Sequence, residues 1–272
     1  MSDEVDVSGD LTVTGNEAVY STLTAATGKR HFKIDSGAYS LRLKWLKMTG
    51  GIAPSAGGDP SRGGSIRINN VAANLNISYC VFFNNSAYFG AAVDATDGQF
   101  TLIFSSVLFE SNSGDYGGGV LLRSGTFNGE NNIFKTNTAG WSGGAIYIAS
   151  DSTVSSTNST FRGNAAAYSG GAIDAIDVGQ STLELTRAQL IQNKQSSETT
   201  DGTLYGYNGG GGLHIGGAEI TVNIRECSFV QNEAMEGGEG GRHGHQIMTG
   251  GQVGGLTIVN TKFTDVSGSH PF

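Results

Sequence analysis

The chain has 272 residues, of which 43 are glycine and 3 are proline, and its formal net charge is −8. The 16 lysine and arginine residues are scattered along the sequence, which argues against a basic face for nucleic acid or for an anionic membrane. No apolar run approaches the roughly 18–20 residues of a membrane helix, and the acidic start MSDEVD has no apolar secretory segment. Neither a transmembrane segment nor a signal peptide is therefore predicted.

Residues 1–28 come first in the chain and contain two alternating segments, Val5-Asp-Val7 and Leu11-Thr-Val13, with irregular spacing. Alternation of apolar and polar residues is typical of strands with one buried face. This stretch is therefore expected to be an N-terminal cap or a partial first unit of the repeat that follows.

From residue 29 to residue 266 the sequence repeats. One signature is a glycine pair that precedes an apolar residue, at spacings of 26–27 and then 40 residues: Ile66, Val93, Val120, Ile146, Ile173, Leu213 and Val253. A second signature, Phe-x-x-Asn, runs in phase with the first. Its apolar members are Phe82, Phe109, Phe134, Phe161, Leu190 and Phe229, and its asparagines are Asn85, Asn112, Asn137, Asn164, Asn193 and Asn232. A fixed period of this length indicates a solenoid, in which each unit stacks on the next.

The units contain alternating stretches such as Ile146-Tyr-Ile148 and Leu183-Glu-Leu185, and no apolar stripe with helical spacing. Three short strands with their turns would form one rung of a parallel β-helix. The predicted fold is therefore all-β, a single-stranded right-handed parallel β-helix of about eight rungs. We expect one domain over residues 1–272, with the rungs in 29–266 and a tail at 267–272.

Stacking places equivalent positions of successive rungs ~4.8 Å apart, so each signature becomes a column. The phenylalanines are expected to stack in a dry interior, and the asparagines to form an amide ladder at a turn where asparagine tolerates the left-handed conformation. The glycine pairs are expected at corners that need positive φ or close backbone approach. The aromatic residues just before this corner should line one edge: Phe89, Tyr116, Trp141 and Tyr168.

The two cysteines, Cys80 and Cys227, fall in one column, five rungs and ~24 Å apart. A disulfide needs Cα atoms within ~7 Å. Two free thiols that act as small core residues are therefore predicted.

The combination of Gly-Gly-Ala-Ile with Phe-x-x-Asn resembles the repeats of the chlamydial polymorphic outer membrane proteins, and the likeness covers roughly residues 28–266. This resemblance implies a β-helix that forms a surface-exposed passenger domain with a role in adhesion. It also implies an extracellular or cell-surface location. The fold alone is similar to that of the pectin-lyase-like enzymes.

Alternate side chains of the strand after the glycine pair are expected to form an exposed column: Lys33, Arg67, Asp94, Leu121, Tyr147, Asp174, His214 and Gly254. Tyr147, Asp174 and His214 fall on consecutive rungs, so a carboxylate would lie between a phenol and an imidazole. Such a trio could orient the histidine as a general base, which makes these three the candidate catalytic residues. The alternative is a polar exterior strand whose neighbours are incidental.

Two long rungs carry their extra residues at one corner beside this column, as lateral loops 195–208 and 233–249, and a third loop spans 49–62. Because loops on a rigid scaffold often carry function, the first two supply the candidate ligand-binding residues Tyr205, Tyr207, Arg242, His243 and His245. His243, His245 and Glu239 are weak metal candidates, but the glycine-rich segment offers no second shell. We expect neither a metal nor another cofactor.

Pectate-lyase chemistry needs clustered carboxylates for Ca²⁺ and a basic side chain, whereas Asp94 and Asp174 should lie three rungs, ~14 Å, apart. The sequence therefore favours a non-catalytic, adhesin-like surface module that recognises a glycan or a protein. The alternative is a polysaccharide lyase, hydrolase or epimerase that uses the three candidate catalytic residues.

Overall fold

The computed structural model describes residues 3–53, 61–69, 72–176, 179–196, 209–234 and 246–264. Within these ranges the regular secondary structure consists of strands, and the long sheets are entirely parallel. The chain is a right-handed parallel β-helix, as the repeat predicts.

The largest sheet has 16 strands in two branches. Branch A contains Val5–Asp6, Phe32–Ile34, Ile66–Asn69, Val93–Thr96, Val120–Leu122, Ile146–Ile148 and Ile173–Ile176. Branch B contains Leu11–Thr14, Ser40–Lys44, Asn74–Ser78, Phe100–Ser105, Gly125–Glu130, Ser152–Thr157 and Thr182–Thr186. Two 13-residue strands near the C-terminal end, Leu213–Arg225 and Ile247–Val259, run through both branches and join them.

The other two sheets are smaller. Sheet 2 has nine strands: Ser21–Thr24, Leu46–Thr49, Val81–Phe83, Leu108–Glu110, Ile133–Lys135, Thr160–Arg162, Gln189–Ile191, Ser228–Val230 and Lys262–Thr264. Sheet 3 has five: Ser113–Tyr116, Thr138–Ser142, Ala165–Ala166, Lys194–Gln195 and Glu233–Ala234. The chain passes in turn through branch A, branch B, sheet 2 and sheet 3, and one such circuit is one rung.

The rungs turn at corners where one residue has positive φ. Before branch A this residue is the first glycine of the pair, for example Gly143 with φ 68°. The second glycine allows close approach, because a Cβ on Gly144 would overlap the main-chain oxygen of Gly171 in the next rung. Between branch B and sheet 2 the left-handed residues form a column of their own: Trp45, Tyr79, Ser106, Asn131, Asn158, Arg187, Glu226 and Asn260.

A stack of phenylalanine rings fills the interior beneath sheet 2. The ring centroids are 4.9 Å apart for Phe82 and Phe109, 4.6 Å for Phe109 and Phe134, and 4.9 Å for Phe134 and Phe161. Interplanar angles are 2–4°, and all four side chains are 0% exposed. The register then continues the same column through Leu190, Phe229 and Phe263.

The asparagines three residues after these apolar positions form a buried ladder. From Asn85 to Asn232, each Nδ2 donates to Oδ1 of the asparagine in the next rung at 2.8–3.0 Å. Each Nδ2 also donates to a main-chain oxygen of the preceding rung, as Asn137 does to Phe109 at 2.9 Å. The ladder ends on Gln246, whose Oε1 accepts from Asn232 at 2.7 Å and whose Nε2 donates to the Thr264 oxygen at 3.1 Å.

The prediction of two free thiols is confirmed. Cys80 and Cys227 are unpaired and only 1% and 3% exposed. Burial raises the pKa of the Cys80 thiol to about 11 and raises that of Cys227 as well. Both side chains therefore act as apolar core residues.

The N-terminal residues contribute one strand each to branch A, branch B and sheet 2. Val5–Asp6, Leu11–Thr14 and Ser21–Thr24 pair in parallel with strands of the following rung, so they belong to a rung of the helix. Their alternating burial, half-buried then exposed, follows the alternation of the sequence.

The final members of two predicted columns are wrong. Leu213 pairs with Ile247 and not with Val253, and His214 pairs with Met248 and not with Gly254. The Gly-Gly pair used for the alignment does not form a corner here, because Gly250 lies opposite Gly216 inside the long strands. Where a strand runs straight through a corner, a glycine pair no longer marks the rung.

Candidate functional site

The outward column of branch A has the predicted register from Lys33 to His214. Its predicted exposure is wrong, because Asp94, Leu121, Asp174 and His214 are at most 1% exposed. Side chains from the corner that precedes branch A contact this column and help to cover it: Arg62 contacts Asp94, Tyr116 contacts Tyr147, and Ser169 contacts Asp174.

A row of aromatic rings forms this cover, and we call Phe89, Tyr116, Trp141 and Tyr168 the aromatic stripe. Ring centroids of successive members are 5.4, 6.1 and 4.7 Å apart, with interplanar angles of 24°, 11° and 29°. All four side chains are partly exposed. The guanidinium carbon of Arg62 lies 4.5 Å from the Phe89 ring centroid and closes one end of the row.

Two further tyrosines flank the stripe. Tyr88 is 37% exposed and packs edge-on against Phe89, with the ring centroids 4.7 Å apart. Tyr147, one of the three candidate catalytic residues, packs edge-on against Tyr116 at 5.3 Å. The phenol of Tyr147 is thus part of the aromatic cover.

A register shift in sheet 3 places a serine, and not the next aromatic residue of the stripe, opposite Tyr116. Tyr116 lies opposite Ser142, not Trp141, since the pairing of sheet 3 shifts by one residue after Gly114. The rung of Trp141 thus has one residue more than the rung of Tyr116. Trp141 can therefore stack on Tyr116 while Ser142 occupies the paired position opposite Tyr116. Ser142 and Ser169 then lie opposite each other, and their hydroxyl oxygens are 2.8 Å apart.

These serines connect to the predicted acid and histidine. Ser169 Oγ donates to Asp174 Oδ2 at 2.8 Å, and His214 Nδ1 lies 2.6 Å from Asp174 Oδ1. A carboxylate oxygen accepts, so the imidazole carries a hydrogen on Nδ1. Among the described residues the buried Nε2 of His214 has no hydrogen-bond partner.

The order of these contacts differs from that of a serine hydrolase. In a catalytic triad the histidine lies between the serine and the acid, so that it can take the hydroxyl proton. Here Asp174 lies between Ser169 and His214, and the serine hydroxyl donates to the carboxylate. The arrangement supplies hydrogen-bond donors to a buried carboxylate and does not place a base beside the serine hydroxyl.

A second buried carboxylate, Asp94, lies three rungs away in the same column. Arg62 Nη1 is 3.8 Å from its Oδ1, and neither carboxylate oxygen has a hydrogen-bond partner among the described residues. Burial raises the pKa of Asp94 to about 7, against the opposing attraction of Arg62 and Arg67. Arg62 therefore contacts both the buried acid and the exposed end of the stripe.

Sequence reasoning missed a buried histidine near the N-terminal end. His31 Nε2 donates to the Leu23 oxygen at 2.9 Å, and Nδ1 accepts from Ser65 Oγ at 3.0 Å. Burial lowers the pKa of His31 to about 4, so the ring is neutral at physiological pH. The neutral ring ties sheet 2 of one rung to the corner of another.

The remaining candidates cannot be placed beside this column. Tyr205, Tyr207, Glu239, Arg242, His243 and His245 lie outside the described residues, as do the central parts of the three predicted loops. Within the described residues no group of three or more histidine, cysteine, aspartate or glutamate side chains could hold a metal ion.

The aromatic stripe was visible in the sequence as an edge, but its neighbours were not. Arg62 and Ser169 carry no signature of their own, and only the register shift brings the serines towards Asp174. A change from Tyr-Gly-Gly to Trp-Ser-Gly-Gly at the corner, residues 116–118 and 141–144, is the signal that could have indicated the shift.

Comparison with known proteins supports the repeat. Residues 158–176 match the Chlamydia polymorphic membrane protein (Chlamydia_PMP) repeat, and this stretch contains both signatures. No curated protein and no solved structure matches the chain significantly. In the part of the chain that the structure describes, no helix is long and apolar enough to cross a membrane. The chain is thus a parallel β-helix repeat protein that resembles the polymorphic membrane proteins of Chlamydia.

Proposed function

We propose that the protein is a non-catalytic, surface-exposed binding module of the adhesin type, and that it contacts a partner protein through the aromatic stripe. The polymorphic membrane protein repeat at residues 158–176 supports the surface location. The geometry of the stripe supports the mode of binding.

The observation that carries the proposal is the partial exposure of stacked aromatic rings. In the interior stack, Phe109 and Phe134 are 0% exposed, as expected for rings that only stabilise the core. The rings of the stripe remain partly in solvent, and Tyr88 beside them is 37% exposed. Tyrosine, tryptophan and arginine dominate the binding energy of protein interfaces, and Arg62 completes this set.

The orientation of the rings favours a protein over a sugar. Successive rings of the stripe cover each other's faces, and Arg62 covers the outer face of Phe89. A sugar that stacks through its C–H bonds needs a free ring face, whereas a protein can pack against ring edges and bond to phenol and indole groups. Stacking also fixes the rings before binding, so little side-chain entropy is lost on association.

A second candidate is catalysis on a polysaccharide, and the 2.6 Å contact of Asp174 with His214 favours it. The burial of both side chains opposes it, because a general base must reach the proton that it removes. Cleavage of pectate or alginate by the parent, lost in His214→Gln, would support this candidate. Absence of cleavage by the parent would exclude it for these polymers.

Binding to cultured epithelial cells tests the first proposal. We expect the fluorescently labelled chain to bind, and Trp141→Ala/Tyr168→Ala to bind at least tenfold more weakly, as measured by flow cytometry. Ile103→Ala/Ile133→Ala is the matched control, since both isoleucines are 45% exposed and lie on other faces. Circular dichroism checks that each variant is folded.

Treatment of the cells identifies the partner class. Protease treatment should abolish binding, and enzymatic removal of glycans should leave it intact. Binding that survives protease but not glycan removal would contradict a protein partner. Equal binding by the stripe variant and the parent would exclude the stripe as the contact surface.

A further inference from the structure

A second set of aromatic residues, exposed or partly exposed, lies at the corner between branch B and sheet 2, at the N-terminal end. Trp45 and Tyr79 are the left-handed corner residues of two successive rungs. Tyr20 directly precedes Ser21, whose N–H donates to the Trp45 oxygen at 3.2 Å, so a third ring stands at the same corner one rung earlier. Tyr20 and Tyr79 are 42% and 45% exposed, and Val19 beside them is 74% exposed.

The backbone does not favour these residues here. Trp45 and Tyr79 have φ values of 54° and 50°, a conformation that costs about 1–3 kcal/mol for a bulky side chain. The same corner carries asparagine in later rungs, at Asn131, Asn158 and Asn260, which tolerates this conformation. Two adjacent aromatic residues at a strained corner point to a role at the surface.

Three cations lie on the strands to either side of Trp45: Arg42 and Lys44 in Ser40–Lys44, and Lys47 in Leu46–Thr49. Arg42 is exposed and the two lysines are partly exposed. Among the described residues none of the three forms an ion pair. Their neighbours in the adjacent strands are all uncharged: Thr12, Thr14, Thr22, Asn76, Ser78 and Val81. A local positive charge therefore remains on a chain of net charge −8.

The lysines lie against the aromatic rings. Lys44 Nζ is 3.9 Å from the Trp45 ring centroid and 5.7 Å from that of Tyr79, and Lys47 Nζ is 4.6 Å from that of Phe83. The Trp45 and Tyr79 rings are 6.4 Å apart, farther than the interior rings. Cation–π contact holds the ammonium groups at the ring surface, where their remaining N–H bonds can meet an anion.

We propose that this cationic corner, formed by Tyr20, Arg42, Lys44, Trp45, Lys47 and Tyr79, binds an acidic sugar. The carboxylate or sulfate of such a sugar would pair with the lysines and Arg42. Its C–H bonds would pack against the outer face of Tyr79, which is 45% exposed and is followed at the same corner of the next rung by Ser106, not by an aromatic residue.

Charge and shape favour a short acidic glycan over other anions. Nucleic acid is repelled by the net charge of −8 and needs more phosphate contacts than three cations offer. An aspartate or glutamate side chain of a peptide would reach the ammonium groups but leave the rings uncovered. An acidic sugar carries a charged group and an apolar face on one ring. Residues 42–47 present cations and an aromatic ring within one short segment, so they could contact both.

Direct titration tests the site, and its result does not depend on the aromatic stripe. The probes are a hyaluronan hexasaccharide, a neutral chitin hexasaccharide and hexaglutamate, each titrated by calorimetry at 0.01 and 0.15 M salt. We expect the acidic hexasaccharide to bind at least tenfold more tightly than the other two. Binding should weaken at the higher salt, because the screening length falls from about 30 to about 8 Å.

Variants assign the binding to the corner. Trp45→Asn/Tyr79→Asn places at both corners a residue that the backbone accepts, and Lys44→Ala/Lys47→Ala removes two exposed charges. Each pair should weaken binding at least tenfold, and Trp141→Ala/Tyr168→Ala should bind like the parent. Equal binding of the neutral hexasaccharide or of hexaglutamate would overturn the proposal. So would the absence of binding, or retention of full affinity in the lysine variant.

Discussion

Replacing Asn137 with alanine should reveal how much the buried ladder stabilises the fold. Asn137 Oδ1 accepts from the main-chain N–H of Asn112 at 3.0 Å and from Asn112 Nδ2 at 2.9 Å. Asn137 Nδ2 donates to the Phe109 oxygen and to Asn164 Oδ1. The side chain is 0% exposed, so water cannot replace these partners without opening the core.

The magnitude follows from the groups left behind. The substitution leaves two donors of Asn112 buried without an acceptor, its main-chain N–H and one Nδ2 hydrogen. Each unsatisfied buried group costs about 1–3 kcal/mol, so the loss should be about 2–6 kcal/mol. Since domains are stable by only about 5–15 kcal/mol, this is a large share of the total.

Urea unfolding followed by circular dichroism and by tryptophan fluorescence measures the effect. The matched control is Asn128→Ala, an exposed asparagine of branch B, which should change stability by less than about 0.5 kcal/mol. Gln246→Ala removes the acceptor of Asn232 Nδ2 and the donor to the Thr264 oxygen, and so leaves one buried donor unsatisfied; its effect should fall between the two. A loss below about 1 kcal/mol in Asn137→Ala, or one equal to that of Asn128→Ala, would refute the reasoning.

Three further predictions concern pH, close packing and the thiols. Because the pKa of Asp94 is raised in the folded chain, the unfolded chain loses this proton first, and stability falls as pH rises from about 4 to 7. Because the pKa of His31 is lowered in the folded chain, the unfolded chain gains this proton first, and stability falls as pH drops from about 6.5 to 4. Each variant removes one of these two opposing effects and leaves the other. Between pH 4 and 8, the Tm of Asp94→Asn should therefore fall as the pH is lowered, and the Tm of His31→Gln should fall as the pH is raised. Tm changes of the same sign in both variants would contradict this. Gly144→Ala should cost at least about 2 kcal/mol in urea unfolding and Gly9→Ala almost nothing, because only the first Cβ meets main-chain atoms of the next rung. Neither cysteine should react with a thiol reagent at pH 8 in the native chain, and both should react in denaturant; reaction of the native chain would contradict their burial.

The interior of this fold is predictable from the sequence because stacking repeats the same environment in every rung. Phe134 meets the same kind of ring above and below, and Asn137 meets the same amide. A residue type that packs well in one rung therefore packs well in every rung, and the sequence repeats it. The column of Tyr147, Asp174 and His214 has the predicted register for the same reason.

Burial of the exterior could not be predicted in this way. Whether Asp174 faces solvent depends on a side chain that crosses from the preceding corner, and the one-residue shift after Gly114 decides which side chain that is. The spacing records the shift, since Phe109 to Phe134 is 25 residues and Val120 to Ile146 is 26, but it does not show which side chain then reaches Asp174. The glycine pair at Gly250 gave a wrong alignment of Val253 with Leu213. The local sequence does not indicate that the strand continues straight through this glycine pair.

The same reasoning separates structural columns from functional ones. Positions that the stack constrains keep one residue type along the axis, whereas the corner at Trp45 and Tyr79 carries aromatic rings in two rungs and polar residues in those that follow. The change places Trp45 and Tyr79 in a left-handed conformation that costs energy and leaves Tyr79 45% exposed. Stability alone would favour asparagine at these two corners, as at Asn131 and Asn158. The proposed acidic-sugar site accounts for both features of this corner, the aromatic residues in a strained conformation and the cations beside them.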